Sequence, residues 1–133
     1  MLSHTTVGTN DLARAIAFYD AVIIPLGWTV PYDDQINQHY GYTTGADATP
    51  QFWLTRPFDQ QPATSGNGTN IGFLAKTRAE VDAFHAAALR AGGTCEGAPG
   101  LRVIYHPNFY AAYVRDLDGN KIMCVCHRPV VSA

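Results

Sequence analysis

Five histidines and three cysteines carry most of this chain's capacity for metal or nucleophilic chemistry. The run Cys124-Val125-Cys126-His127 has the letters of a metal motif. On a strand, however, Val125 faces away from both thiols, and no second cysteine pair exists to complete a four-ligand set, so the two thiols are expected in the core. Two cysteines two apart on one strand also bridge poorly. No serine or cysteine has a motif context that marks it as a nucleophile, and no glycine-rich loop suits a nucleotide phosphate. His4 stands in the first apolar run. His106 precedes the last apolar runs and, with Pro107-Asn108 after it, is read as a turn residue. His39, His85 and His127 are expected on the surface or on helix faces.

The elements that must position these residues are written in periodicity and turn chemistry. Leu2 to Val7 reads as a short strand. Thr9-Asn10-Asp11 supplies N-cap chemistry, and Leu12, Ala15, Ile16, Tyr19 and Ile23 follow at helical spacing until Pro25 and Gly27. Trp28 to Tyr32, His39 to Thr43 and Gln51 to Thr55 are strand candidates between turns rich in Asp, Asn, Gly and Ala. Phe58 to Gly68 has no periodicity and reads as a linker or a loop over a site. Asn70 to Ala75 is again a strand. Thr77-Arg78-Ala79-Glu80 is a capping box, and Val81, Phe84, Ala88 and Leu89 line a helix that stops at Gly92-Gly93. Cys95, Val103 to Tyr105, Tyr110 to Arg115 and Lys121 to Cys126 supply later strands, the last two flanking the hairpin turn Asp116-Leu117-Asp118-Gly119-Asn120.

The chain repeats. An offset of 66 places His4 on Asn70, Phe18 on Phe84 and Gly27 on Gly93; an offset of 72 places Gln51 on Met123 and Arg56-Pro57 on Arg128-Pro129. The expected fold is therefore α+β: one domain over residues 1–133, built of two tandem βαβββ modules, about 1–60 and about 69–133. Neither half can bury its sheet face alone.

The Asp-x-Asp-Gly-Asn turn, the Ala17-Phe18-Tyr19-Asp20-Ala21 segment ending in Leu26-Gly27, and Glu80-Val81-Asp82-Ala83-Phe84 together resemble the glyoxalase / bleomycin-resistance / extradiol-dioxygenase superfamily, the vicinal oxygen chelate proteins. The resemblance covers nearly the whole chain and implies a glyoxalase-like cleft between curled mixed sheets, in a homodimer. It also implies four metal positions on the first and last strands of each module, where relatives place His, Glu or Gln, His and Glu. Carried over, these are His4, Gln51 (with Trp53 two residues on along the same strand face), Asn70 and Met123. One imidazole, two amides and a thioether make a poor home for a hard dication, because no carboxylate offsets its charge. The expectation is a degenerate metal site with no tightly bound cofactor, and a cleft of His4, Gln51, Trp53, Asn70, His106 and Met123 that holds a small organic molecule. The alternative is a lyase, isomerase or dioxygenase using one divalent metal ion with unusual ligands. A blander reading is a fold kept for assembly alone. No residue is assigned a catalytic role.

Composition sets the remaining bounds. Of 133 residues 47% are hydrophobic and 15% charged, with a net charge of -2, so neither nucleic acid nor an anionic membrane surface is expected as a partner. No apolar run approaches the ~20 residues of a membrane span. The turn-and-helix pattern begins by Asn10, which argues against a signal peptide, and the odd cysteine count suits a reducing cytoplasm.

Overall fold

The computed structural model describes residues 1–130; residues 131–133, the end of the second expected module, lie outside the described residues. Its elements are β1 (Thr5–Gly8), α1 (Leu12–Ile23), β2 (Thr29–Asp34), β3 (His39–Thr43), β4 (Phe52–Thr55), β5 (Ile71–Leu74), α2 (Arg78–Arg90), β6 (Thr94–Leu101), β7 (Tyr110–Arg115) and β8 (Lys121–Cys126). They form two four-stranded mixed sheets, ordered β1-β4-β3-β2 and β5-β8-β7-β6. In each, the first and last strands of the module pair in parallel and the others antiparallel. This is the expected α+β architecture of two tandem βαβββ units.

Leu12, Ala15, Phe18, Tyr19, Val22 and Ile23 put one face of α1 in the core. Asp11 caps the helix through its carboxylate and the Arg14 N–H, and Gly27, at φ 101°, turns the chain after a 3-10 turn through Pro25. In α2, Val81, Phe84 and Ala88 are buried, whereas Leu89, expected on that face, is 41% exposed. Thr77 Oγ1 accepts the Glu80 N–H at 3.1 Å, and Glu80 reaches back to the N–H of Lys76, one residue before the cap, at 2.9 Å. Thr77→Ala is therefore expected to lower stability by about 0.5–2 kcal/mol in urea unfolding. A midpoint equal to wild type would show that the cap contributes nothing.

The helix-side faces of both sheets share one core with α1 and α2. Phe18, Tyr19, Phe52 and Phe73 form a chain of rings with successive centroids 5.1 Å apart, crossing from one module to the other, and Trp28 lies 5.6 Å from Phe73. Burying each such ring contributes roughly 1.5–3 kcal/mol. Cys124 and Cys126 belong to this core, and burial, with the Glu80 charge next, pushes the Cys124 thiol up to about 12. Because the helix-side faces meet here, the opposite sheet faces lie outside the shared core.

The β7–β8 hairpin locks the modules together. Asp116 accepts the N–H groups of Asp118 and Asn120 and the side-chain amide of Asn120, while Gly119 holds φ at 88°. The turn reaches the first module through Tyr19 Oη to Asp116, Asn120 to the Gly8 carbonyl, and the Asn10 N–H to Asp118.

One expected strand is corrected. Val103 to Tyr105 is a turn; the sixth strand runs over Thr94–Leu101. It contains Gly97, Pro99 and Gly100, all poor strand formers, and its pairing with β7 is interrupted twice. An edge strand with bulges tolerates such residues.

Candidate functional site

Strand alternation sorts the outer faces. Phe52 and Leu54 point to the core, so Trp53 and Thr55 point out, level with Thr6 and Gly8 on β1 and with Gly41 and His39 on β3. His4, Thr6, Tyr32, His39, Trp53 and Thr55 line an open cavity of about 380 Å³ on this first face. Trp53 is its centre. The Tyr32 ring stands edge-on 5.1 Å away, and the His39 ring 6.5 Å away at 86°. Gly41 provides the seat: a Cβ there would come within 2.9 Å of Pro50 and 3.0 Å of the indole, so a larger residue would displace Trp53. His4 Nδ1 is 2.9 Å from the Ser3 hydroxyl. No carboxylate lines the cavity.

The outer face of the second sheet is a small apolar cluster of Ala111, Met123 and Val125 with Phe109 and Tyr113 against it. Asn70 directs its side-chain amide at Met123 Sδ, 3.1 Å away. Arg102 and Lys121 cover the Tyr113 ring at 5.5 and 5.3 Å. His106 borders the face by standing edge-on to Phe109 at 5.5 Å, and its Nε2 lies 2.8 Å from His127 Nδ1.

The six residues expected in one cleft thus fall into separate groups. His4 and Trp53 share the first face; Asn70 and Met123 share the second, with His106 at its rim. No described hydrogen bond, ring contact or cavity joins the two groups within one chain. Gln51 joins neither group. Its side-chain oxygen accepts from the Thr44 N–H and from the Thr43 and Thr44 hydroxyls at 3.0–3.3 Å, closing the β3–β4 turn.

The ladder register explains this placement and corrects the repeat. Thr5 pairs with Phe52, and Ile71, 66 residues after Thr5, pairs with Ile122, so Phe52 corresponds to Ile122 at an offset of 70. Trp53, not Gln51, is therefore the counterpart of Met123. The four equivalent positions become His4, Trp53, Asn70 and Met123. Their donors are an imidazole, an indole, an amide and a thioether, and the indole is not a metal ligand.

Sequence reasoning missed Tyr32, His39, Thr6 and Thr55 as residues of this face; His39 is exposed, as expected, and lines the open cavity. The signal was available for three of them: each shares Trp53's strand parity or its cross-strand partner's. Tyr32 reaches the face only through an irregular β2–β3 register. Among the described residues no three His, Cys, Asp or Glu side chains come together, and no helix is long and apolar enough to cross a membrane.

The family model described as Glyoxalase/Bleomycin resistance protein/Dioxygenase superfamily matches residues 1–124. Among solved structures, a glyoxalase/bleomycin resistance protein from Albidiferax ferrireducens T118 is 42% identical; the match covers 97% of this chain and 99% of that one, with a TM-score of 0.83. The fosfomycin resistance protein FosX from Listeria monocytogenes is 17% identical over 95% of this chain and 92% of its own, TM-score 0.66. Lactoylglutathione lyase from Agrobacterium tumefaciens is 20% identical over 95% and 92%, TM-score 0.64. These last two show the fold alone. No curated protein matches the chain.

Proposed function

The chain belongs to the glyoxalase/bleomycin resistance protein/dioxygenase superfamily, and from that premise we propose that it binds a small, flat organic molecule in a metal-poor cleft shared by two copies of the chain. The observation that carries this reading is the lining of the first face. Tyr32, His39 and Trp53 supply aromatic walls, and His4, Thr6 and Thr55 supply the few polar groups that orient a ligand.

The divalent ion of metal-dependent relatives does not fit these residues. His4 is the one good donor among the four positions, Asn70 offers at most a neutral amide oxygen, and no carboxylate is present to offset a dication's charge. The ligand is instead held by stacking and hydrogen bonds.

Sharing between chains follows from the two outward faces. The first module leaves His4 and Trp53 on an open cavity, whereas the second buries Met123, 7% exposed, with Phe109 and Tyr113 packed against it. The connection at the β2–β3 end exposes Tyr32 and Ile36, and the β6–β7 connection exposes Val103, Ile104 and Tyr105. A two-fold pair would set one chain's first face against its partner's second face and cover the open cavity.

Light scattering should give a mass near twice 14.4 kDa. Calorimetric screening of aromatic and heteroaromatic compounds in metal-free buffer should find a binder, and Trp53→Ala should weaken it by about tenfold or more. A monomer at every concentration would remove the shared cleft. A binder insensitive to Trp53→Ala, or one that requires added metal, would remove the stacking site.

A further inference from the structure

A second cavity lies away from both outer faces, where the C-terminal ends of β5 and β8 meet the start of α2. Its volume is about 340 Å³, and it is lined by Lys76, Thr77, Arg78, Cys126, Arg128, Pro129 and Val130. Three cations therefore face one space, brought there by the β5–α2 junction, the first turn of α2 and the segment after β8. Among the described residues none of them forms an ion pair; the one ion pair there joins Arg115 to Glu96. Two acids of α2 lie near the cavity, each holding a hydrogen bond. Glu80 accepts the Lys76 N–H, and Asp82 accepts the Tyr110 hydroxyl at 2.6 Å.

Arg78 is the telling residue. Its guanidinium lies 5.2 Å above the Tyr110 ring, which fixes its orientation. Its Nε is the one buried side-chain nitrogen or oxygen without a partner among the described residues. Its inner nitrogen is covered and unpartnered, and no described hydrogen bond uses its outer nitrogens, so the fork has capacity for an anion. A planar guanidinium fork with two further cations matches an oxyanion. The rest of the wall is Thr77 and the less polar Cys126, Pro129 and Val130.

We propose that this cavity is a second binding site, for a small organic anion whose phosphate or carboxylate head sits among Lys76, Arg78 and Arg128 and whose apolar body lies against Pro129 and Val130. The site is independent of the aromatic cleft and uses none of its residues. It gives the chain two chemically different recognition surfaces, one flat and aromatic, one cationic and amphipathic.

Phenyl phosphate, benzoate and inorganic phosphate are the probes, titrated with backbone amide NMR as the readout. Phenyl phosphate or benzoate should shift the amides of Lys76–Arg78 and Cys126–Val130, and the tighter of the two identifies the head group. Arg128→Gln, on an exposed segment outside the core, should weaken binding several-fold. Arg78→Gln with Arg128→Gln should weaken it by about tenfold or more. Arg90→Gln, at the other end of α2, should leave it unchanged. Absence of shifts at these residues, shifts confined to the face around His4 and Trp53, or equal affinity in the double variant would overturn the proposal. Inorganic phosphate binding as tightly as phenyl phosphate would overturn the apolar half of the site.

Discussion

Asp116→Ala should cost about 3–5 kcal/mol of folding stability, more than any other single polar change in the chain. Asp116 is 7% exposed and accepts four hydrogen bonds: from Tyr19 Oη at 2.6 Å, from the N–H groups of Asp118 and Asn120, and from the Asn120 side chain. Removing the carboxylate opens the turn and leaves the Tyr19 hydroxyl, 1% exposed, without an acceptor. Burial first, and the Asp116 charge next, raise the Tyr19 hydroxyl well above the ordinary tyrosine range, so it stays a donor and cannot escape by ionising. A double-mutant cycle with Tyr19→Phe isolates the bond. Tyr19→Phe alone should cost less than Asp116→Ala, and its added cost in the Asp116→Ala background should shrink toward zero. If Asp116→Ala loses under 1 kcal/mol in urea unfolding, the hairpin does not lock the modules as described.

Replacing Trp53 by Glu, Asn70 by His and Met123 by Glu should create a divalent-metal site. The wild-type positions offer one imidazole with an indole, an amide and a thioether. The triple variant offers two imidazoles and two carboxylates on the same four backbone positions, which supplies the missing ligand count and charge. Affinity for Ni(II), Zn(II) and Mn(II) should rise by roughly two orders of magnitude over wild type. Calorimetric titration of both proteins, with circular dichroism to check folding, reads this directly. Equal and tight binding by wild type would move the metal-dependent lyase, isomerase or dioxygenase reading ahead. A folded triple variant with no gain would mean that the four positions do not meet.

The fold was legible because its signals were local. Asp116 to Asn120 declares a hairpin by turn chemistry, Thr77 and Glu80 declare a helix start, and the helical spacing from Leu12 to Ile23 marks a buried face. The β6 strand was hidden, because Gly97, Pro99 and Gly100 sit in it and pairing with β7, not propensity, makes it a strand. The site was half legible. Alternation found the Trp53 face, but matching residue types along the repeat set Gln51 against Met123, two residues away from the register that the ladders impose. Side-chain type carries no register information when one member of the pair is a degenerate residue. Nor does alternation say which sheet face meets which. That depends on the packing of Phe52 against Phe73, a contact between modules that no local pattern encodes.

Whether the cleft is built from two chains can be measured with two variants, each able to supply half a metal site. One chain carries Trp53→Glu and so offers His4 with a carboxylate; the other carries His4→Ala, Asn70→His and Met123→Glu and so offers an imidazole with a carboxylate from its second module. With a first face set against a second face, copies of either variant alone gather no more than two good ligands. Co-refolded, they should bind Ni(II) at roughly one ion per mixed pair, while each alone binds weakly. If native mass spectrometry finds mixed dimers and calorimetry finds no more Ni(II) bound than by the two variants separately, the faces do not meet across chains, and the shared cleft is contradicted.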